Sequence, residues 1–515
     1  MTQDWRITTT SEGETRLLAQ RIAAGLRAGD VIALRGELGA GKSVFARAII
    51  QAIAGDSEAA DVPSPTYSLV QTYELERLTI AHFDLFRLEN PRELDELDFN
   101  SSDPCLLLIE WPEKAESEIP EDRLDIALKQ ADNENSREIM FTGRGGWAGR
   151  LKRFEEIDRF AREAGWAEAQ HAYLAGDASV RNYRRLIMGA RRAVLMDAPA
   201  IKDDEVVRDG KTYGQIVHRA EDVLPFIAMT QLLRKHGYAA PEILYMDGDA
   251  GLLLLEDFGD DRIVKGNPPQ VSGERYLAAV NTLIALVEEN WGEAVDVGGV
   301  FTHRIPRFDE QAMLTEAQLV TEWFAPYFAG TPLSAEARDQ FDGTFLALLK
   351  LLEEDTWRLV LRDFHSPNIL WRGDRTGVQR LGLIDYQDAV IAHPAYDIVS
   401  LLQDARIDMP ATLEQELLTH FLNKTRDMKG FDEDRMRRAY AILGAQRNSK
   451  LLGIFARLAK RDGKPDYLKH LPRISRYLLR DLDHVDLAPL RDWYETHLPR
   501  ALSPDQLERL ASRKP

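Results

Sequence analysis

The sequence has little of what covalent cross-links and membrane spans require. Cys105 is its single cysteine, so neither an intramolecular disulfide nor a cysteine-based zinc site can form within the chain. Its apolar runs, such as Leu252 to Leu255, are far shorter than the ~18–20 residues that span a bilayer. The first residues, Met1 to Trp5, lack the basic and apolar regions of a signal peptide. These absences predict a soluble, cytoplasmic protein that does not engage membranes.

The sequence also has fewer basic than acidic residues. The chain has 65 Lys and Arg against 84 Asp and Glu, which gives a formal net charge of −19 over 515 residues. This balance argues against a protein that coats nucleic acid directly, because phosphate contacts need clustered Lys and Arg. It leaves room for an enzyme that handles nucleotides with one local basic loop. At roughly 100–200 residues per domain, the length suggests about three domains, or two with one large.

Hydrophobic periodicity and turn residues divide the chain into two parts. In the first part, buried-strand patterns at 31–34 and 106–109 alternate with a helical pattern at 43–52, which predicts an α/β domain with a mostly parallel sheet. A glycine cluster at 143–149 marks the predicted boundary, and helical periodicity dominates beyond residue 273. The predicted parts are an α/β domain over 1–147, a linker or junction helix over 148–164, and an α+β domain over 165–515.

The segment 36–43 reads Gly-Glu-Leu-Gly-Ala-Gly-Lys-Ser and fits the phosphate-loop pattern G-x-x-x-x-G-K-[ST]. Glycines let backbone N–H groups turn toward phosphate oxygens, Lys42 reaches the β- and γ-phosphates, and the Ser43 hydroxyl can bind Mg²⁺. A helix beginning at Ser43 adds its positive N-terminal end. We therefore predict an ATP site formed by Gly36, Glu37, Leu38, Gly39, Ala40, Gly41, Lys42 and Ser43.

A site of this kind needs a further carboxylate that binds magnesium or positions water. Asp84 ends the apolar segment 78–84, and Glu110 directly follows the predicted strand at 106–109. Because the carboxyl ends of parallel strands line the ligand crevice, Glu110 lies where a catalytic carboxylate is expected. From the residues alone, both carboxylates remain candidates.

Four blocks of the first part resemble TsaE, the small ATPase of tRNA threonylcarbamoyladenosine (t6A37) biosynthesis, in order and spacing. The blocks are the loop 36–43, Ser64-Pro65-Thr66-Tyr67, His82 to Leu88, and Glu110-Trp111-Pro112-Glu113. The residues that the resemblance places around ATP and Mg²⁺ are Lys42, Ser43, Thr66, Asp84 and Glu110. It also implies that Trp111 lies near the nucleotide base.

The TsaE resemblance further implies a partner complex. ATP hydrolysis would serve other subunits of t6A synthesis, of the TsaB/TsaD type, and the chain would meet tRNA only indirectly through them. The acidic balance of the sequence agrees with this arrangement. A generic P-loop ATPase or kinase is the alternative for this domain.

The densest group of functional residue types in the second part lies at 359–371. Asp363 and Asn368 have the D-x-x-x-x-N spacing of a kinase catalytic loop, in which Asp accepts the proton of the attacking hydroxyl and Asn binds Mg²⁺. Asp385 follows the apolar segment 381–384, at the place of the metal-binding Asp of kinases. The pattern predicts a two-lobed, protein-kinase-like phosphotransferase domain. The predicted lobes are about 165–260 and 261–515.

Two segments upstream agree with a kinase order. The stretch 174–186 is a candidate for the turn that covers ATP, and within it Asp177 and Ser179 are candidate nucleotide contacts. The stretch 252–259 reads as the strand and hinge between lobes, which makes Glu256 a further candidate nucleotide contact.

Residues 165–500 resemble the aminoglycoside phosphotransferase and choline kinase superfamily. Within it they look most like the cell-wall sugar kinases that phosphorylate N-acetylmuramate and N-acetylglucosamine at the anomeric hydroxyl. The stretches that carry this closer likeness are 176–179, 195–199, 322–324 and 446–457. The resemblance implies ATP and Mg²⁺ as cofactors, an amino sugar as substrate, and a sugar 1-phosphate that feeds peptidoglycan recycling.

Two positions depart from the superfamily pattern. The strand that usually carries an ATP-pairing lysine reads Val194-Leu195-Met196-Asp197, and position 361 is Leu where His is usual. A nearby arginine such as Arg185 is a candidate substitute for the lysine.

The leading prediction is thus a bifunctional enzyme, with alternatives for its second part. In one alternative the second part acts on choline or an aminoglycoside. In another it is a weakly active module that regulates or tethers the ATPase. In a third view the two domains share no pathway and are simply co-expressed.

Overall fold

We describe the protein from a computed structural model. The residues described are 2–512 except 56–64, 66–68, 92, 95–98, 100–103, 175–180, 202–205, 330–331 and 353–356. The chain divides into two compact units, of which the first comprises Met1–Pro199 and Ile243–Asp257 and the second Ala200–Glu242 and Phe258–Pro515. None of the described helices has the length and apolar character needed to cross a membrane.

The first unit contains a seven-stranded sheet. The elements up to residue 197 are β1 (Thr2–Thr9), α1 (Glu12–Ala23), β2 (Val31–Arg35), α2 (Lys42–Ala54), β3 (Val70–Glu74), β4 (Thr79–Asp84), β5 (Leu106–Glu110), β6 (Leu124–Gln130), β7 (Arg137–Arg144), α3 (Trp147–Glu163), β8 (Gln170–Leu174), β9 (Asn182–Met188) and β10 (Arg191–Asp197). The sheet has the order β1-β7-β6-β2-β5-β4-β3, and β6, β2, β5 and β4 run parallel. The predicted α/β domain with a mostly parallel sheet is confirmed.

The strands after residue 197 are β11 (Val206–Arg208), β12 (Lys211–Thr212), β13 (Ile243–Asp247), β14 (Leu252–Glu256), β15 (Val264–Lys265), β16 (Gln270–Val271), β17 (Ala294–Val297), β18 (Phe301–Arg304), β19 (Arg358–Val360), β20 (Ile369–Trp371), β21 (Leu381–Leu383) and β22 (Val390–Ala392). The helices are α4 (Tyr213–Ile216), α5 (Leu224–Lys235), α6 (Gly273–Glu288), α7 (Glu310–Ala317), a π-helix (Val320–Ala329), α8 (Ala335–Lys350), α9 (Ala395–Leu402), α10 (Ala411–Thr425), α11 (Glu433–Lys460), α12 (Leu471–Asp481), α13 (Ala488–His497) and α14 (Pro504–Ala511).

The central strands of the first sheet are apolar because both of their faces are covered. Successive residues of a strand point to opposite faces, and Ile32 packs in one core cluster with α1 and α2, whereas Val31 belongs to a second cluster with Ile109. Parallel pairing sets Leu34 of β2 and Asp84 of β4 beside Glu110 of β5. The carboxyl ends of three strands therefore meet at one edge of the sheet.

Helix α3 joins this core to a second sheet within the first unit. Its residue Leu151 packs with the core around α1 and α2, and its residues Ile157 and Phe160 pack in the core of the second sheet. That sheet is antiparallel, with the strand order β13-β14-β10-β9-β8. The segment predicted as a linker or junction helix is thus a helix with an apolar face against each sheet.

The second unit is mainly helical, as the periodicity beyond residue 273 predicts. Its long helix α11 has buried residues along most of its length, and the π-helix, α7, α9 and α12 pack against it. Two short antiparallel ladders, β19–β22 and β20–β21, frame the predicted catalytic loop. They position the loop residues that follow β19 and β21.

Candidate active sites

The predicted phosphate loop connects β2 to α2, and its shape depends on glycines at positive φ. Gly36 has a φ of +143°, and a Cβ at this position would clash with the carbonyl oxygen of Leu128 in β6. Gly41 precedes α2 with a φ of +105°, a left-handed conformation that glycine adopts without strain. Because α2 begins at Lys42, the positive end of its dipole faces the loop, where an anion binds favourably.

Lys42 folds back onto the loop that precedes it. Its ammonium donates hydrogen bonds to the carbonyl oxygens of Gly36 at 2.8 Å and Glu37 at 3.0 Å. The same group lies 3.5 Å from the centre of the Trp111 ring, and Trp111 itself has a φ of +59°. Burial lowers the pKa of Lys42, although the nearby Glu110 carboxylate opposes the shift. Trp111 therefore lies beside the lysine of the predicted phosphate loop, and both its contact with a nucleotide base and the contact of Lys42 with phosphate stay predictions.

Glu110 is a buried carboxylate of the first sheet with both of its oxygens in contact with other side chains. It is 1% exposed, one of its oxygens accepts a 2.7 Å hydrogen bond from the Ser43 hydroxyl, and the other lies 3.0 Å from Nε2 of His82. Asp84 is its register partner on β4 and accepts a hydrogen bond from the Phe86 amide at 3.2 Å. Burial raises the pKa of Asp84, and the Glu110 carboxylate adds to the increase. The structure thus brings both candidate carboxylates together with Ser43.

The oxygen atoms at this edge suit Mg²⁺. Mg²⁺ takes hard oxygen ligands and is usually held by one or two carboxylates together with water and substrate phosphates. Ser43, Asp84 and Glu110 supply a hydroxyl and two carboxylates. Among the described residues, no group of three or more His, Cys, Asp or Glu side chains is arranged to hold a metal by itself. The residues present therefore fit a cation shared with a nucleotide.

The predicted catalytic loop in the second unit is held by Asp397 of α9. The Asp397 carboxylate accepts hydrogen bonds from the backbone amides of Leu361 at 2.7 Å and Arg362 at 2.8 Å. Arg362 has a φ of +69°, a left-handed conformation that surrounding contacts must maintain. Burial raises the pKa of Asp397 to about 7, although these two hydrogen bonds oppose the shift. Leu361, where the superfamily usually has His, is buried.

The three kinase-like residues of the sequence lie together. The Asn368 side chain donates to the carbonyl oxygen of Asp363 at 3.1 Å and lies 3.4 Å from a carboxylate oxygen of Asp385. The other oxygen of Asp385 accepts a hydrogen bond from Gln387 at 2.9 Å, and Asp385 has a φ of +60°. An amide and a carboxylate are oxygen ligands that Mg²⁺ accepts. The D-x-x-x-x-N spacing and the downstream Asp therefore form one constellation.

A buried ion cluster that sequence reasoning missed lies behind Asp363. Arg362 forms an ion pair with Glu316, and the Lys450 ammonium lies 2.7 Å from the same carboxylate oxygen. Burial would raise the pKa of Glu316, but Arg362 and Lys450 outweigh it and lower that pKa. Burial likewise opposes ionisation of Asp363, and His365, Lys450 and further cations outweigh it, which lowers the pKa of Asp363. Lys450 lies in the stretch 446–457. A charged residue in the middle of a buried helix is a sequence signal that could have indicated this ion cluster.

Comparison with known proteins identifies both parts of the chain. The family model described as threonylcarbamoyl adenosine biosynthesis protein TsaE matches residues 9–139. The model described as the phosphotransferase enzyme family matches residues 171–438, which is just over half of the chain. The chain belongs to the phosphotransferase enzyme family and carries a TsaE domain. The predicted fusion is thereby confirmed.

Individual relatives cover the two domains separately. The N-acetylmuramate/N-acetylglucosamine kinase of Caulobacter vibrioides is 32% identical over 349 residues, which cover 65% of this chain and 94% of that kinase. The kinase of the same name from Pseudomonas aeruginosa is 32% identical over 321 residues, or 61% of this chain and 85% of its own. The tRNA threonylcarbamoyladenosine biosynthesis protein TsaE of Rickettsia conorii is 39% identical over 127 residues, or 24% of this chain and 71% of its own.

Other predicted contacts of the phosphotransferase domain lie on the second sheet of the first unit. Glu256 is the last residue of β14. Arg185 of β9 is the register partner of Val194 of β10, and its guanidinium pairs with Asp257 at 2.6 and 3.1 Å. Since directly paired residues share a face of a sheet, Arg185 provides a cation beside the position that lacks lysine. The predicted contacts Thr66, Asp177 and Ser179 lie outside the described residues.

Proposed function

We propose that the TsaE domain hydrolyses ATP to serve t6A37 synthesis on tRNA, with partner subunits of the TsaB/TsaD type holding the tRNA. The observation that carries this proposal is the contact of Glu110 with Ser43, directly beside Lys42. In this arrangement Lys42 binds the β- and γ-phosphates, and Glu110 orients the attacking water. Ser43, Asp84 and Glu110 would hold Mg²⁺, which, when bound, neutralises charge on the phosphate oxygens. Thr66 and Trp111 complete the proposed nucleotide contacts.

The test combines ATP hydrolysis with tRNA modification. Lys42→Ala and Glu110→Gln should each abolish ATP hydrolysis by the TsaE domain. Each should also abolish t6A formation in cells depleted of their own TsaE. Lys114→Ala, which removes an exposed positive charge nearby, should support both. Intact t6A formation by a variant that no longer hydrolyses ATP would refute the role. Co-purification of TsaB/TsaD-type subunits with the full-length protein tests the partner part of the proposal.

The phosphotransferase domain, we further propose, transfers the γ-phosphate of ATP to the anomeric hydroxyl of N-acetylmuramate and N-acetylglucosamine. Asp363 takes the hydroxyl proton, the sugar oxygen forms a bond to the γ-phosphorus, and the bond to the β-phosphate oxygen breaks, which releases ADP. Asn368 and Asp385 would hold Mg²⁺, whose charge would offset that of the phosphates. The juxtaposition of Asp363, Asn368 and Asp385 carries this proposal, and the two kinase relatives support the choice of sugar.

A substrate panel on the full-length protein tests the sugar assignment. ADP release is measured with N-acetylmuramate, N-acetylglucosamine, choline and kanamycin, and the sugars should be the substrates. Asp363→Asn should lower sugar phosphorylation by about 10²–10⁴-fold, the usual contribution of a general base. Asp374→Asn, an exposed aspartate after β20, should leave the rate unchanged. Turnover of choline or kanamycin alone would overturn the sugar reaction, and an unaffected Asp363→Asn variant would overturn the kinase mechanism.

A further inference from the structure

A cavity of about 420 Å³ in the first unit has five arginines in its lining. It lies where the turn after α1 meets α3 and strands β8 to β10. Small-molecule sites typically have volumes of about 300–1,000 Å³, so this cavity is large enough for a ligand. Its charged lining residues are Arg27, Arg77, Arg150, Arg153, Arg184 and Asp197. Arg184 and its neighbours Asn182 and Tyr183 lie in the stretch 174–186 that is predicted to cover ATP, but none of the described side chains named individually for the two active sites belongs to this lining. Neither Arg77 nor Arg184 has been given a role in the proposed reactions.

Two of these arginines are neutralised by carboxylates. Arg150 forms a two-pronged ion pair with Asp30, at 2.5 and 2.8 Å. Arg153 contacts Asp197 at 2.7 Å and Glu156 at 2.9 Å. The five guanidinium groups of the lining therefore outnumber these three carboxylates by two. This local excess occurs in a chain whose net charge is −19.

Arg77 and Arg184 supply buried or half-buried charge without a carboxylate partner. Arg184 is 6% exposed and donates to the carbonyl oxygen of Arg21 at 3.3 Å. Arg77 donates to three carbonyl groups at the end of α1, at 2.7 to 3.4 Å, and stacks on the ring of Tyr173 at 4.1 Å. Across the described part of the chain, neither guanidinium forms an ion pair. Their hydrogen bonds go to neutral carbonyls, and the carboxylates of Asp30 and Asp197 act on these two charges without forming an ion pair with either.

Neighbouring groups reflect the same positive environment. Burial, together with Arg184 and Arg21, holds the pKa of His171 well below its ordinary value. Burial also lowers the pKa of Arg184 to about 10, and neighbouring arginines add to this although Asp197 opposes it. A charge removed from water without a counter-ion costs free energy, and a bound anion would offset that cost.

We propose that this cavity binds the phosphate group of a small phosphorylated metabolite. A guanidinium group presents a planar fork of N–H donors that matches phosphate oxygens, and Arg77 and Arg184 line the same cavity. Tyr173 and Asn182, which are exposed at its rim, would contact the remainder of the ligand. A sugar phosphate and a nucleoside diphosphate share this chemistry. The proposal rests on Arg77 and Arg184 and not on any of the proposed catalytic side chains, so it can be tested separately from the proposed activities.

Hydrogen–deuterium exchange of the full-length protein locates the binding. N-acetylglucosamine 1-phosphate and ADP are added in separate experiments, and at least one should slow exchange in α3 and in β9. Arg77→Gln should raise the ligand concentration needed for half of that protection at least tenfold, because it removes charge-assisted hydrogen bonds. The ligand whose protection depends on Arg77 identifies the source of the phosphate. If neither ligand gives protection in α3 that Arg77→Gln removes, the proposal is wrong.

Matched variants separate binding from folding. Arg159→Gln removes the same charge from an exposed position of α3 outside the cavity and should bind like the wild type. Arg77→Lys keeps the charge without the fork and should bind with intermediate affinity. The identified ligand should also raise the midpoint of thermal unfolding of the wild type more than that of Arg184→Gln, which has lost the buried charge. Equal increases in the two proteins would contradict the proposed contact with Arg184.

Discussion

The two candidate active sites position their carboxylates by different means. In the TsaE domain, Glu110 contacts the hydroxyl of Ser43 and the imidazole of His82. In the phosphotransferase domain, Asp363 lies near Lys450 and other cations, and the Glu316 carboxylate balances two of them. The first site relies on backbone shape and hydrogen bonds, whereas the second relies on buried charges that must balance.

This difference changes what a single substitution does. A buried charge that loses its partner is strongly destabilising, whereas a lost hydrogen bond between polar groups costs much less. Substitutions in the phosphate loop should therefore affect ATP use with little effect on folding. Substitutions behind the kinase-like loop should affect folding and activity together.

Glu316→Gln has the largest expected effect. It leaves Arg362 and Lys450 buried without their shared counter-ion, and breaking a buried ion pair in this way costs about 3–5 kcal/mol. We expect the free energy of unfolding of the second unit, measured by urea titration, to fall by that amount. Sugar phosphorylation should fall with it, while ATP hydrolysis by the TsaE domain should change little.

The control for this prediction is Glu416→Gln, an exposed glutamate on α10. A surface change of this kind usually alters stability by less than about 0.5 kcal/mol. The double variant Glu316→Gln/Lys450→Gln should recover part of the lost stability, because the two side chains are in contact and their effects are not additive. If Glu316→Gln is as stable as Glu416→Gln, the second site does not depend on charge balance.

Asp397→Asn tests the carboxylate that holds the kinase-like loop. Burial raises the pKa of Asp397 to about 7, against about 3.9 in the unfolded chain. The protonated group therefore contributes stability below about pH 4, and this contribution is lost as the pH rises through 7. We expect the stability advantage of the wild type over Asp397→Asn, about 1–3 kcal/mol at low pH, to shrink between pH 4 and 8. Urea titrations across this range measure it, and a constant difference would contradict the assignment.

Sequence patterns predict the local parts of both sites. The phosphate loop is contiguous, and the parallel strands place Asp84 and Glu110 at one edge because both follow strand-like runs. Asp363 and Asn368 likewise belong to one short loop. The predicted roles of these residues in catalysis stay predictions, but their proximity follows from spacing and strand order.

Long-range partners are not visible in the same patterns. Glu316 and Lys450 lie in different helices, α7 and α11, and nothing in local periodicity pairs an acidic residue of one helix with a basic residue of another. Arg184 looks like an ordinary charged strand residue in the sequence, yet it is buried beneath a cavity. Such contacts depend on how helices and sheets pack, which the order of apolar residues does not specify.

Trp111→Leu has the smallest expected effect. It tests, in the TsaE domain, how far the site depends on a side-chain contact in addition to backbone shape. The indole lies 3.5 Å from the Lys42 ammonium, and such a cation–π contact contributes about 1 kcal/mol. Its loss should raise the KM for ATP by about fivefold with little change in kcat or stability, whereas Trp111→Phe should stay near the wild type. An unchanged KM in Trp111→Leu would mean that the loop carbonyl groups of Gly36 and Glu37 alone position Lys42, and that backbone shape dominates this site even more than the aromatic contact suggests.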